Sequence, residues 1–291
     1  MDDSIYQQLK DIAQCEGVTF TEPGRLGEGA YARVEACEYK GEKCAAKISL
    51  HSLDVIDNLR KEFERGPELW AIMNGHAGLT RHVDHFTAKV NGYRYLVTLW
   101  EQARCGLDTL IPIRRQEELK RYLEPTCDAI DYLNGQQIYH RDIKPENILV
   151  FADGSAKLGD LGNVRSLGGP SGSASIIGTP FYWPPEAFDF VGKNRLHHTA
   201  DVYSLAVTYV VMNTGYFPYG FEYRQDPGFD DTLKFKRDAQ HIRDSLLSLG
   251  YTDKEVTLFM SILEPLPDNR DDLAARDLLE QLGALAVERQ E

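Results

Sequence analysis

The sequence predicts an α+β protein in two lobes, a small β-rich one followed by a larger, mainly helical one. From Phe20 to Trp100 the chain has a strand-like texture, interrupted once. After residue 104 it turns to long helical periodicity. Its 291 residues suffice for the core of one large domain or two modest ones, with the change of character near 98–106.

Residues 4–15 put Ile5, Leu9, Ile12 and Ala13 on one helical face. That suits a short helix packed on the body of the protein better than one that docks a partner. Segments 20–27, 32–39 and 42–50 carry the β-branched, aromatic and alternating positions of strands, with Tyr39-Lys40-Gly41-Glu42 as a hairpin turn. Residues 54–74 read as a helix in which Pro67 is a breaker. Two further strands follow near 82–89 and 93–100, joined by Asn91-Gly92. Residues 116–137 show helical spacing, and 199–214, nearly all apolar, reads as a buried helix. The Gly/Ser-rich stretch 162–178 reads as a mobile loop, 219–231 as irregular, and 253–288 as helical again.

Hydrophobic residues make up 42 % and charged residues 26 %, which fits a soluble globular protein. No run of 18 apolar residues occurs, so membrane insertion is not expected. The acidic N-terminus, MDDSIYQQLKDIAQ, lacks the apolar centre of a secretory signal. Cys15, Cys37, Cys44, Cys105 and Cys127 are scattered, with no CxxC pair. This argues against a disulfide framework or a zinc site and for a reducing, cytoplasmic setting. A net charge of −13 argues against nucleic-acid binding, which needs Lys and Arg to neutralise phosphates. Oligomeric state is not legible.

The most informative residues are 139–149, YHRDIKPENIL. Within them, Asp142 can orient a hydroxyl nucleophile. Lys144 can neutralise charge on a phosphate in transfer, and the Asn147 amide oxygen can ligate a hard cation such as Mg²⁺. Asp160-Leu161-Gly162 supplies a second carboxylate 18 residues after Asp142, at the spacing a second metal ligand needs. Near the start of the β-rich part, residues 27–34 read GEGAYARV. Gly27 and Gly29 would let backbone N–H groups approach phosphates, and Val34 could cap an adenine ring. A plain hairpin explains these glycines as well.

Together these motifs resemble the eukaryotic-type serine/threonine protein kinases, over residues 20–285. The resemblance implies a bilobal protein-kinase fold, with 1–19 an N-terminal helical extension, 20–101 the N-lobe and 102–291 the C-lobe. It implies transfer of the ATP γ-phosphate, with Mg²⁺, to Ser/Thr hydroxyls of protein substrates, and autophosphorylation. Asp142 and Lys144 would then be catalytic, and Asn147 and Asp160 metal ligands. Lys47, in Cys44-Ala45-Ala46-Lys47, would hold the α- and β-phosphates. Its acidic partner would be Glu68, with Glu64 as the rival. Val34, Ala45 and Leu149 would enclose adenine, Thr98 would stand at the back of its site, and backbone groups of Leu99 and Glu101 would face it. The family's third glycine is Ala32 here, and Leu161 stands where Phe is usual.

The stretch GTPFYWPPE, 178–186, resembles the end of the family's activation segment, with Pro184 in place of Ala. Thr179 would bond to Asp142 and Lys144, Glu186 would pair with Arg270, and Asp201 would brace the catalytic-loop backbone or cap its own helix. Arg141 would read a phosphate on Ser171, Ser173 or Ser175, unless that stretch is an unmodified linker. Glu146 could favour a nearby arginine of the substrate. Two rivals stand beside the kinase reading: a nucleotide-binding scaffold without catalysis, and a small-molecule phosphotransferase.

Overall fold

The computed structural model describes residues 2–29, 31–55, 57–160, 165–166, 180–188, 198–225 and 228–288. They form two compact units, 1–104 and 105–291.

The first unit is built on five strands: β1 (Val18–Glu28), β2 (Ala32–Tyr39), β3 (Glu42–Ser49), β4 (His82–Val90) and β5 (Tyr93–Glu101). They form one antiparallel sheet in the order β1-β2-β3-β5-β4. Lys40 and Gly41 (φ 51° and 81°) make one hairpin turn, Asn91 and Gly92 (φ 53° and 86°) the other. Positive φ at both central residues is what two-residue hairpins require, and the reason the sequence shows Gly there. Helix α1 (Asp3–Cys15) is capped by the Asp2 side chain and buries Tyr6, Leu9 and Ala13. These pack with Cys37, Cys44, Ala46, Ile48, Val97 and Leu99 in one apolar cluster. The α1 face of the sheet is therefore the core of this unit.

Helix α2 (Asp57–Asn74) continues through Pro67. Residues before proline resist the helical conformation because their Cβ meets the ring, and Gly66 has none. A Cβ at Gly66 would also lie 2.5 Å from the Trp70 ring.

The second unit carries α3 (Gln116–Gly135), α4 (Ala200–Thr214), α5 (Phe229–Lys236), α6 (Ala239–Ser248), α7 (Asp253–Ile262) and α8 (Ala275–Glu288). Every residue of α4 is buried, in keeping with its nearly all apolar sequence, and Gly215 ends it in the left-handed conformation (φ 84°). Asp131 of α3 accepts the first N–H groups of α8, from Ala275 and Arg276. Short strands β6 (Cys105–Gly106), β8 (Ile148–Val150) and β9 (Ala156–Leu158) form a small sheet. Strand β7 (Ile138–Tyr139) pairs with β10 (Arg165–Ser166), the only described part of the Gly/Ser-rich stretch 162–178. The irregular stretch expected over 219–231 ends earlier, since α5 begins at Phe229. The helical stretch 253–288 is two helices parted by a non-helical segment that holds a short turn at Pro267–Asn269.

All five cysteines are free thiols. Among the described residues no helix is long and apolar enough to cross a membrane.

Candidate active site

The loop between β7 and β8 carries the strongest motif, and buried polar bonds fix it. Asp201, in the first turn of α4 and 1 % exposed, accepts the backbone N–H of His140 (2.7 Å) and of Arg141 (2.8 Å). Its carboxylate is thus a brace for the loop, while Thr199 stands at the N-cap of α4. Burial pushes the Asp201 carboxyl up in pKa, against the pull of His140 and the two N–H donors. The brace holds Arg141 at φ 69°, a conformation that non-glycine residues adopt only when the surroundings impose it. The His140 ring bonds through Nε2 to the Gly159 carbonyl (2.8 Å) and accepts at Nδ1 from the Asp142 N–H (3.3 Å).

Asp142 itself is divided in two. Its Oδ2 accepts from Asn147 Nδ2 (2.9 Å) and lies 3.2 Å from the Lys144 ammonium. Its Oδ1 is buried and has no hydrogen-bond partner among the described residues. Asn147 Nδ2 also donates to the Asp142 carbonyl (2.7 Å), so the amide is oriented and its Oδ1 takes no part in these bonds. The Gly159 N–H donates to the Asn147 carbonyl (2.8 Å), which ties the residue before Asp160 to the same loop. Asp160 is exposed, at φ 55°.

Asn147 Oδ1 and the Asp160 carboxylate are hard oxygen donors, the kind Mg²⁺ takes together with phosphate oxygens and water. Among the described residues no cluster of three His, Cys, Asp or Glu forms an all-protein cage. In chemistry, these two oxygen donors fit a cation that completes its shell with phosphate oxygens and water.

In the first unit the sheet register places the expected nucleotide residues. Val34 pairs with Lys47, and Lys47 with Thr98; Ala36 pairs with Ala45, and Ala45 with Trp100. Paired residues share a face, and it is the one opposite the α1 core. Val34, Ala45 and Lys47 are half-buried there. Gly27 lies across from Val34, and an added Cβ at Gly27 or Gly29 would meet nothing within 4 Å. Neither internal packing nor a positive φ asks for glycine at these two positions. Leu149, on β8 of the second unit, is half-buried.

Glu64 and Glu68 are both exposed on α2, and Glu64 lies 3.8 Å from Arg60. Leu99 sits inside the sheet between Ala46 and Asp84. The Glu101 N–H donates to the Arg81 carbonyl (3.0 Å), and its carboxylate accepts the Arg81 N–H (2.7 Å). The Thr98 hydroxyl, buried, accepts from Trp100 Nε1 (2.8 Å). Leu161, Ser171, Ser173, Ser175 and Thr179 lie outside the described residues.

Further along, Arg270 makes two parallel bonds of 2.7 Å to the Glu186 carboxylate, the pairing expected from sequence. A family model of the protein kinase domain matches residues 20–281. The chain belongs to the eukaryotic-type protein kinase family. Three relatives illustrate the likeness. CBL-interacting serine/threonine-protein kinase 8 of Arabidopsis thaliana is 29 % identical over 260 residues, 86 % of this chain and 54 % of that protein. Serine/threonine-protein kinase cst-1 of Caenorhabditis elegans is 30 % identical over 206 residues, 67 % of this chain and 38 % of that protein. Aurora kinase of Saccharomyces cerevisiae is 28 % identical over 239 residues, 79 % of this chain and 64 % of that protein. The chain spans about half the length of the first of these, 54 %. Its two units have the make-up of a bilobal kinase fold, an antiparallel sheet first and helices after.

The structure also shows a feature of this kinase domain that sequence reading missed. A cavity of about 560 Å³ is lined by Asp108, Glu146, Phe181, Tyr182, Phe217 and Tyr223 among others. Tyr223 donates to the Glu146 carboxylate (3.1 Å) at an exposed position. Only Glu146, inside the motif, carried a sequence signal for it.

Proposed function

We propose that the chain is an active kinase that transfers the γ-phosphate of ATP to Ser or Thr hydroxyls of protein substrates. The observation that carries this reading is the division of Asp142, one oxygen committed to Asn147 and Lys144, the other buried without a described partner. A buried carboxylate oxygen left open is costly unless a ligand uses it. A substrate hydroxyl satisfies it: Oδ1 accepts the hydroxyl hydrogen, orients the oxygen toward phosphorus, and takes the proton as the new P–O bond forms and the bond from the γ-phosphorus to the β,γ-bridging oxygen breaks, releasing ADP. Lys144 balances charge on the phosphoryl group, and positioning with charge stabilisation supplies most of the acceleration.

Asn147 and Asp160 would hold Mg²⁺. When bound, Mg²⁺ neutralises phosphate charge. Lys47, partnered by Glu68, would hold the nucleotide phosphates, and Gly27 and Gly29 leave space for their close approach. Val34, Ala45 and Leu149 would contact adenine. Leu99 and Glu101 could offer main-chain groups only where the sheet leaves them unspent. Asp108 and Glu146 in the cavity favour a cationic residue beside the acceptor hydroxyl. On this reading residues 20–101 are the small lobe and 102–291 the large one, with 1–19 an extension of the small lobe. The free thiols support a reducing, cytoplasmic setting.

The test is γ-phosphate transfer from Mg·ATP to a generic Ser/Thr substrate by wild type and by Asp142→Asn. The variant should lose about 10²–10⁴ in rate with ATP affinity unchanged. Equal transfer by both would remove Asp142 from the mechanism, and transfer by neither would remove the activity.

A further inference from the structure

Lys236, the last residue of α5, is a lysine with no exposed surface. Its ammonium donates to the Phe181 carbonyl (2.7 Å), the Trp183 carbonyl (2.6 Å) and the Tyr219 hydroxyl (2.7 Å). Three N–H donors meet three acceptors, so the group is saturated. The Tyr219 hydroxyl in turn donates to the Phe181 carbonyl (2.8 Å), and the rings of Tyr219 and Tyr203 lie 4.6 and 5.3 Å from the ammonium. Burial drives the lysine pKa well below its usual value, with Glu186 pulling the other way.

The chain it holds has little regular structure of its own, a single short turn at Pro180–Tyr182. The carbonyl that Lys236 does not reach, that of Tyr182, accepts from Ser204 Oγ of α4 (2.9 Å). Three successive carbonyls, 181 to 183, are thus held by side chains of other elements. Phe181 and Tyr182 also line the cavity that Glu146, one residue before Asn147, lines too. Burying an ammonium costs several kcal/mol even with good partners, and an apolar residue of similar volume often serves stability as well. What a methionine could not do is bind those two carbonyls.

We propose that Lys236 is a positioning residue of the protein-substrate site: it fixes the main chain of Phe181–Trp183, and with it the cavity wall against which the substrate chain lies. The proposal rests on the kinase reading above. It concerns the protein substrate and leaves nucleotide binding untouched.

The experiment compares wild type, Lys236→Met and Tyr219→Phe by amide hydrogen exchange and by steady-state kinetics with a Ser/Thr peptide. Loss of the two carbonyl bonds in Lys236→Met should raise exchange of the Phe181, Tyr182 and Trp183 amides by about tenfold, leaving α3 and α8 unchanged. The peptide KM should rise about tenfold, with the KM for ATP and the saturated kcat within about twofold of wild type. Tyr219→Phe keeps the lysine and removes one partner. It should move the same two readouts by about threefold, and it decides the matter if Lys236→Met does not fold. Unchanged exchange at Phe181–Trp183, a rise spread evenly over α3 and α8, or an ATP KM that moves with the peptide KM would each overturn the role of Lys236. Exchange reads the wall whether or not phosphate moves. Absence of transfer by wild type strikes the kinase reading, whereas an active wild type with unmoved variants strikes only this inference.

Discussion

The two units fix their functional side chains by different means. In the second, the side chains that set the catalytic loop and its surroundings are tied to particular atoms by buried polar bonds: Asp201 to two backbone N–H groups, His140 to Gly159, Asn147 to Asp142, Arg270 to Glu186. In the first, Val34, Ala45 and Lys47 are placed by strand register over a sheet whose reverse face packs on α1. A buried polar net loses much when one member goes, because the remaining partners keep their desolvation cost. Register is shared by a whole row of pairs, so one member can change with little loss. Substitutions should therefore hurt far more in the second unit than in the first.

The largest effect belongs to the Glu186–Arg270 pair. The Arg270 side chain is fully buried, bonds Glu186 twice and the Glu264 carbonyl once (2.8 Å), and stacks over Tyr203. Arg270→Met leaves the largely covered Glu186 carboxylate unpaired and removes three hydrogen bonds, and should cost about 3 kcal/mol in urea unfolding. Glu186→Leu with Arg270→Met should recover most of that, since no charge is then stranded. A single variant within about 1 kcal/mol of wild type would remove the contrast between the units.

Next comes Asp201→Asn. The amide can accept one of the two N–H groups but turns its own N–H₂ toward the other. One charged hydrogen bond is lost, about 1.5–3 kcal/mol. Arg141 is then no longer held at positive φ, so phosphate transfer should fall more than stability alone explains. Activity at full folding, measured below the unfolding midpoint, separates the two effects.

The same contrast governs what could be read from the sequence. Residues 139–147 were legible because the bonds that join their functional side chains are local, with Asp142 five positions before Asn147, and the roles follow from residue type and spacing. The Asp201 brace, some 60 residues away, is not local. The five strands were legible from alternation and from two turns that demand glycine. Strands β6 to β9 were not, since two or three residues carry no period. Lys236 was not, because Lys234-Phe235-Lys236-Arg237 has the composition of a solvated surface. Its burial depends on Phe181, Trp183 and Tyr219, which are distant in sequence. The one trace was its place three residues after Leu233 and four after Thr232, on the inward side of α5. Pro67 misled in the other direction: α2 continues through it, and Gly66 removes only one of proline's clashes, that with the Cβ of the preceding residue.

A pH titration probes the first unit at a smaller scale. His82 on β4 stacks on Trp70 of α2 (ring centroids 4.2 Å, 3° between planes), and its Nε2 is buried without a described partner. Burial, then the neighbouring His85, push its pKa from 6.5 down to about 4, against the pull of Asp84. The folded state therefore binds this proton less well than the unfolded chain does. The stability it permits is complete above the unfolded value of 6.5 and is lost as pH falls toward about 4. The slope is at most about 1.4 kcal/mol per pH unit. His82→Phe, which keeps the stack, should flatten that part of the urea-midpoint profile between pH 7 and 4.5. An unchanged profile would mean that His82 takes up its proton in place.

The smallest stability effect, and the sharpest separation of structure from function, is expected at Gly27 and Gly29. A methyl at either meets nothing within 4 Å, and neither needs a positive φ. Ala also has less freedom to lose on folding than Gly. Gly27→Ala and Gly29→Ala should leave the urea midpoint within about 0.5 kcal/mol of wild type or slightly raise it. If phosphates lie against this turn, the added methyl groups occupy their space, and the KM for ATP should rise while peptide KM stays. Register would then have done its part, holding a strand whose glycines the fold does not require and the nucleotide does. Unchanged ATP KM in both variants would make the turn an ordinary hairpin, and nucleotide recognition in this unit would pass to Lys47 and its neighbours on β3.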